Sequence, residues 1–540
     1  MFKWIRKAFR HLNSSGVQPK GSEVPNNDYR ANSHYAGKTT NQYERVHSSI
    51  QKNKEFFEEN LGKNIGIVLR NFTIGEGHVR PALMVAISGM VERVVLHQSI
   101  LSPLMQFKFP ESTDDPLSIL QESVLSIADI NREDNLFQIA NDLYTGKVAL
   151  FLEGEEEAIL MDAQAWEMRG IEQPVTETVI RGAREAFNED LSTNITLLRR
   201  RVSSPNLRCE PMILGTQTHT KISIAYIEGI VNKEVLEEVY RRLENINIEG
   251  IMESGTIEQL IEDAPFSLFP TIGNHERPDT VAAMILDGRV AVFVDGTPMV
   301  LTMPYLLVNN FQVAEDIYSR PFYTNLVRLL RVWSYLITTM LPGVFVAVQY
   351  YHPILIPFTL LVKLVTTRAD VPFELYFEMI GMLLVFEIIR ESGLRMPKPI
   401  GQAVSLVAAL ILGEAAVQAG LVGIPVVVTV ALVGISSFPV VSLSESISIL
   451  RLLFVIAGTT FGIFGVLMLG MLVVSHLASI RSFGVPYSAP IFPIVIQDWK
   501  DAVLRFPVAL LNKRPITLGS SNKTKQKLGG FSDEGKRGKE

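Results

Sequence analysis

Between Leu329 and about Leu477 charged residues are sparse, and the chain holds several runs near the length a helix needs to cross a bilayer. Crossing the hydrocarbon takes about 20 mostly apolar residues as a helix. "VWSYLITTMLPGVFVAVQYY" (332–351) and "LLFVIAGTTFGIFGVLMLGMLVVSHL" (452–477) qualify readily. "FELYFEMIGMLLVFEII" (373–389) qualifies less comfortably, because it contains Glu374, Glu378 and Glu387. "LVAALILGEAAVQAGLVGIPVVVTVALVGISSFPVV" (406–441) is too long for one crossing and is cut by Gly413, Gly420, Gly423 and Pro425. The expectation for 319–480 is a helical membrane domain of about four spans plus a broken re-entrant segment. A six-span version adds "PILIPFTLLVKL" (353–364).

The rest of the chain is different. Of 540 residues 47% are hydrophobic and 20% charged, and the mean hydropathy is +0.21. These values fit one chain only if charge and apolar residues are segregated, as they are here, and the length suggests several domains. The single cysteine, Cys209, allows neither an intrachain disulfide nor a thiolate metal cluster. "MFKWIRKAFRHL" lacks a secretory core run. It reads either as a basic amphipathic helix on an anionic membrane surface or as a merely solvated start. Residues 13–50 read as a flexible linker, so 1–60 is set apart from the folded body.

A repeat organises the soluble half. "TGKVALFLEGEEEAILM" (145–161) parallels "DGRVAVFVDGTPMVLTM" (287–303), each reading as two strands joined by a tight turn at Glu-Gly or Asp-Gly. "ALMVAISGMVERVVL" (82–96) parallels "SIAYIEGIVNKEVL" (223–236) at nearly the same separation. The expectation is an α/β soluble region of two related subdomains, 61–204 and 205–318, ahead of the α-helical multi-span domain. The segment from Asn188 reads as a helix with acidic residues first and Arg199, Arg200 and Arg201 last, complementing its dipole; that arginine run reads as a solvated helix end, with binding of phosphate or lipid head groups as the alternative.

No phosphate-binding loop, His-Glu-x-x-His, Gly-x-Ser-x-Gly or dinucleotide fingerprint occurs. The nine His residues are scattered. An enzyme is therefore not expected, nor a metal or other cofactor. Basic residues do not alternate with stacking aromatics, so no nucleic-acid partner is expected.

"FEIIRESGLRMPKPIGQA" (386–403) places charges and helix breakers between two apolar runs. A charge at the bilayer centre costs on the order of 3 kcal/mol and faces a cavity or a partner. Irregular backbone at membrane depth lines water or protein. The charged break Arg390, Arg395, Pro397, Lys398, Pro399 and Gly401, with Glu374, Glu378, Glu387, Glu391 and Glu414, is the candidate ion path; the bland alternative is a basic loop. Glu378 and Glu387 are nine residues apart and face opposite sides of a straight helix, and Glu387 has Arg390 one turn on as an alternative partner. Glu414, with no basic neighbour in sequence, is the sharpest candidate for a lumen or subunit contact. Arg320, Arg328, Arg331, the 390–398 cations and the basic tail place both soluble ends inside, with 481–540 a cytoplasmic region ending in a disordered basic tail.

"ESGLRMPKPIGQAVSLVAALILGEAAVQAGLVG" resembles the signature of A subunits of GerA-type spore germinant receptors. "TETVIRGAREAFNEDLSTNITLLRRR", "DGRVAVFVDGTP", "RPFYTNLVRLLR" and "SFGVPYSAPIFP" are similar to that family as well. The chain departs from the family pattern at Ala183, Ala186 and Leu383. The resemblance implies a multi-pass protein of the spore inner membrane that senses nutrients with a transporter-like B subunit and a lipoprotein C subunit. It further implies a homo-oligomer in membrane lipid that forms a ligand-gated channel for monovalent cations. An accessory stage V-type channel and a secondary transporter with broken helices are the alternatives.

Overall fold

Two five-stranded antiparallel sheets with the same strand order build the charged half of the chain. In this computed structural model the described residues are 44–75, 80–108, 115–127, 129–164, 174, 177, 179, 181–395 and 413–525. The first sheet runs β1 (Ile67–Ile74), β2 (Arg80–Ile87), β4 (Lys147–Leu152), β5 (Ala158–Asp162), β3 (Ile130–Glu133). The second repeats that order as β6 (Leu207–Leu214), β7 (Thr220–Ile227), β9 (Val290–Val294), β10 (Val300–Met303), β8 (Gly273–His275). Side chains alternate between faces along a strand, and here both faces are covered. Leu83, Val85 and Ile87 of β2 enter one core while Ala82, Met84 and Ala86 enter another. Gly154 and Gly296 take φ +95 and +90 in the two Glu-Gly and Asp-Gly turns, a conformation that side chains with a Cβ resist.

Each repeat opens with a helix, and this moves the boundaries expected at 60 and 204. In the first, α1 (Ile50–Leu61) buries Phe57 and Leu61 against Val85 and Phe151, and α2 (Leu136–Leu143) shares that core. In the second, α3 (Leu191–Arg201) buries Ile195 and Leu198 against Cys209, Ala225 and Phe293. α4 (Lys233–Glu244) and α5 (Ser254–Ile261) fill the opposite face of that sheet, and α6 (Pro278–Leu286) packs beside α3. The linker expected to reach residue 50 therefore stops short of it: Val46 and Ile50 are buried. Apolar spacing in "IQKNKEFFEENL" carries that information, diluted by its many polar residues.

The α3 arginine run is not a solvated end. Arg199 is 1% exposed; its Nη2 donates to the Ile65 carbonyl at 2.6 Å, and its guanidinium lies 5.9 Å from the Tyr144 ring centre. It joins the two repeats, and only Arg200 and Arg201 turn outward, toward Glu185.

The apolar half packs as α7 (Pro321–Tyr351), α8 (Phe358–Thr366), α9 (Leu375–Arg395), α10 (Ile424–Ser437) and α11 (Ser444–Ser479). Among the described residues two helical stretches are long and apolar enough to cross a membrane, α7 and Val441–Ser479. The second is not one rod. Gly462, at φ +64 and ψ −148, breaks α11, and the Tyr351 hydroxyl donates to the Thr459 and Thr460 carbonyls beside it at 2.7 and 3.1 Å. Gly458 meets Gly343 of α7 before the break, and Gly470 faces Met340 after it. Ser442 Oγ, just ahead of α11, donates to the Asn310 carbonyl at 3.2 Å, while His476 near its far end lies 3.0 Å from Ser267 Oγ. A straight helix of 36 residues would separate its ends by about 54 Å, so α11 folds back as two arms, 444–461 and 463–479. The single pass expected for 452–477 is thus the end of one arm and most of another.

Where α7 meets the second repeat, Asp316 accepts from Arg328 Nε at 2.9 Å and from Arg331 Nη1 at 2.9 Å, all three buried. Two of the three cations used to orient α7 are therefore neutralised inside protein. The C-terminal region returns to the second repeat: Ser521 N donates to the Ile230 carbonyl at 3.0 Å, and Lys525 pairs with Asp287 at 2.7 Å. The basic tail expected to be disordered is thus docked as far as Lys525; residues 526–540 lie outside the described residues.

The α7–α11 crossing relies on missing side chains. A Cβ built on Gly458 would overlap the Gly343 carbonyl, and one on Gly343 the Phe454 carbonyl, whereas one on Gly470 meets only the Met340 Cε at 3.8 Å. Small residues allow such close approach of helix backbones. Gly458→Ala should destabilise the detergent-solubilised chain by roughly 1–3 kcal/mol, read as a lower thermal midpoint, while Gly470→Ala should leave the midpoint within error.

Candidate functional site

Helix α9 holds most of the charge predicted for the membrane half, and its own rotation sorts those charges. Its exposed residues are Phe377, Gly381, Leu384, Ile388, Glu391 and Arg395, a 4-3-4-3-4 spacing that draws one straight stripe along the helix. That spacing is the 3.5-residue repeat with which helices pack against one another. The opposite face, with Leu375, Met379 and Leu383, is buried against Val426, Val430 and Val433 of α10.

The carboxylates of α9 therefore meet different fates. Glu378 is buried; Arg368 donates to its Oε1 at 2.6 Å, and the Gly423 amide donates to its Oε2 at 2.8 Å. That oxygen sits at the start of α10, where the helix dipole favours negative charge. Glu374, at the exposed start, accepts from the Tyr350 hydroxyl at 2.6 Å. Glu387 is gripped from two sides, by Arg390 at 2.7 Å and by the Arg451 guanidinium of α11. Arg390 also donates to Ser448 Oγ at 3.1 Å. Arg451 is 1% exposed, and its guanidinium lies 5.4 Å from the Phe386 ring centre.

Glu391 and Arg395 pair with each other at 2.6 Å on the open stripe. Glu414 is exposed and accepts from Gln418 at 3.0 Å. Pro397, Lys398, Pro399 and Gly401 lie outside the described residues. The geometry thus divides the predicted residues into two groups: Glu378 and Glu387 are neutralised within the helix bundle, and Glu374, Glu391, Arg395 and Glu414 reach its surface. Among the described residues no group of three or more His, Cys, Asp and Glu could hold a metal.

The family of Bacillus/Clostridium GerA spore germination proteins matches this chain over residues 55–517. The chain belongs to the GerA family. Spore germination protein KA of Bacillus subtilis is 40% identical over 89% of each chain. GerLA of Bacillus cereus is 36% identical over 87% of this chain and 96% of that protein. The solved N-terminal domain of the A subunit of the Bacillus megaterium spore germinant receptor GerK3 is 32% identical, with a TM-score of 0.40, over 49% of this chain and 98% of that one.

In this GerA-family chain Leu383 is fully buried. Arg451 and Arg368 were absent from the predicted site. The signal for Arg451 was present: a lone arginine beside the run 452–477 needs a partner, and an apolar window opened one residue later hides it. Arg368 had no comparable signal, because its pairing with Glu378 follows from the α8–α9 turn.

Glu387 and Arg451 form a coupled pair, and removing one partner of such a pair strands the other. Glu387→Gln should cost about 3 kcal/mol, measured by thermal unfolding in detergent. Glu387→Gln combined with Arg451→Met should recover most of that loss, because the stranded guanidinium goes too; additive losses would show that the pair is not coupled.

Proposed function

We propose that this GerA-family chain is a membrane subunit of a nutrient-sensing spore germination receptor, and that copies of it assemble into a ligand-gated cation channel. The observation that carries the reading is the open stripe of α9. A helix of 21 residues spans about 31 Å, close to the thickness of a bilayer core. Its covered face is apolar except for Glu378 and Glu387, which are paired with arginines, and its uncovered face ends in Glu391 and Arg395. Lipid solvates Phe377, Leu384 and Ile388 but not the charged end. Stripes from several copies facing one axis would satisfy both, with apolar residues along the passage and charge at its mouth.

That mouth lies on the side of the soluble repeats, since Arg390 reaches Ser448 near the start of α11, and that start adjoins Asn310. The relatives, spore germination proteins, support a germination role; the transporter-like B and lipoprotein C partners and the spore inner membrane are what the resemblance implies. No chemistry is required of the chain: it acts as a receptor subunit and not as an enzyme.

The sole cysteine, Cys209, is buried in the second repeat, so introduced thiols report cleanly. Leu384→Cys and Ile388→Cys should form disulfide-linked dimers in membranes on mild oxidation, while Val433→Cys, which is buried, should not. In reconstituted oligomers Glu391→Gln should lower cation selectivity several-fold. Stripe cysteines that never cross-link, together with conductance indifferent to Glu391, would refute the channel.

A further inference from the structure

We infer that a cavity between the second repeat, the foot of α7 and the C-terminal region is a binding site for a small organic carboxylate, held by Arg289. The cavity measures about 690 Å³, within the usual range for small-molecule sites. Arg289 lines it immediately ahead of β9 and is 6% exposed. Its Nε and Nη1 have no hydrogen-bond partner, and it forms no ion pair, among the described residues.

The other cations of the wall are committed elsewhere. Arg277 pairs with Asp279 at 2.7 Å, Arg328 and Arg331 with Asp316, Arg505 with Asp501, and Lys525 with Asp287. Asp287, two residues before Arg289 and the nearest acid in sequence, is thereby taken by the docked tail. A buried guanidinium without a counter-ion costs several kcal/mol, and burial depresses the Arg289 pKa below its ordinary value. Arg289 therefore has no carboxylate paired with it among the described residues: Glu177, also on the wall, pairs with His275 at 2.8 Å.

Further polar atoms on the same wall are also unspent. His275 Nε2, Thr280 Oγ1, Asn310 Oδ1 and Glu177 Oε2 are buried without partners among the described residues; the Thr280 hydroxyl can donate to a carboxylate, whereas Asn310 Oδ1 and Glu177 Oε2 only accept. Between them lie apolar side chains, including Leu306, Val308 and Leu518. A bare inorganic anion would leave that apolar surface uncovered, whereas a carboxylate with a short hydrocarbon body would cover it. Guanidinium planes match carboxylates in shape and charge. The wall also takes in Phe438 and Pro439, between α10 and α11, so an occupant touches the soluble repeat and the helical bundle together.

The test uses the full-length chain in detergent at constant ionic strength, with acetate, butyrate and hexanoate as probes and inorganic phosphate and chloride as comparators. Saturable stabilisation of the thermal midpoint, strongest for the longer carboxylates, and equilibrium dialysis giving one labelled butyrate per chain are the expected results. Arg289→Met should weaken butyrate binding at least tenfold and raise the midpoint of the ligand-free chain, because it removes an uncompensated buried charge. Arg241→Met, at an exposed site on α4, should change neither. Stabilisation by phosphate alone would overturn the carboxylate assignment. Equal responses of the wild type and Arg289→Met, or no saturable binding of any probe, would overturn the site.

Discussion

Buried guanidinium groups held by carboxylates decide how the two halves of this chain meet. A charge taken out of water stays charged only when an opposite charge and hydrogen bonds replace the solvent. Asp316 meets that requirement for Arg328 and Arg331 at once, and both arginines lie on α7, the helix that leads out of the second repeat. The carboxylate therefore fixes the rotation of α7 as well as its position. Helices α9, α10 and α11 are each placed against α7. Glu387 and Arg451 repeat the device one layer further in, tying α9 to the first arm of α11.

The glycine contacts work with these pairs. Ion pairs set direction, but they act over a few ångströms and need their helices already close. Gly343 and Gly458 bring the α7 and α11 backbones together, and dispersion between close-packed helices grows with such proximity. The same stretch of α11 must also reverse. A residue with a Cβ resists the positive φ found at Gly462, and Tyr351 answers the carbonyls freed there. One helix sequence thus combines a packing glycine with a turning glycine.

Much of the soluble half was legible because its signals are local. Period-2 alternation and Glu-Gly or Asp-Gly turns mark hairpins whatever lies around them, and the recurrence of segments 82–96 and 145–161 as 223–236 and 287–303 marked the duplication. The opening helices were less legible, since "IQKNKEFFEENL" is mostly polar and becomes a core helix only when the sheet supplies a partner for Phe57. The arginine run at 199–201 gave no local hint that one of its members bridges to Ile65. In the helical half, composition marked out the region but not the route. Gly462 is one glycine among several in "AGTTFGIFGVLMLG", and nothing in its neighbours says that it alone reverses the chain. Sequence could not assign neighbours to the predicted carboxylates. Glu378 and Glu387 do face different elements, α10 and α11, as their nine-residue separation requires.

That separation has a consequence for how a charged helix can live in a membrane. Were Glu378, Glu387 and Glu391 on one face, α9 would need a wet surface along its whole length, and the bundle could not close over it. Rotation instead gives Glu378 to Arg368 and the start of α10, and Glu387 to Arg390 and Arg451, so neither of these two carboxylates is left unpaired. Only the last turns of the stripe stay charged, where Glu391 and Arg395 neutralise one another until something displaces one of them. An assembly that separated that pair would gain a carboxylate at the end of an otherwise apolar stripe, and it would do so without disturbing the pairs that hold the bundle together.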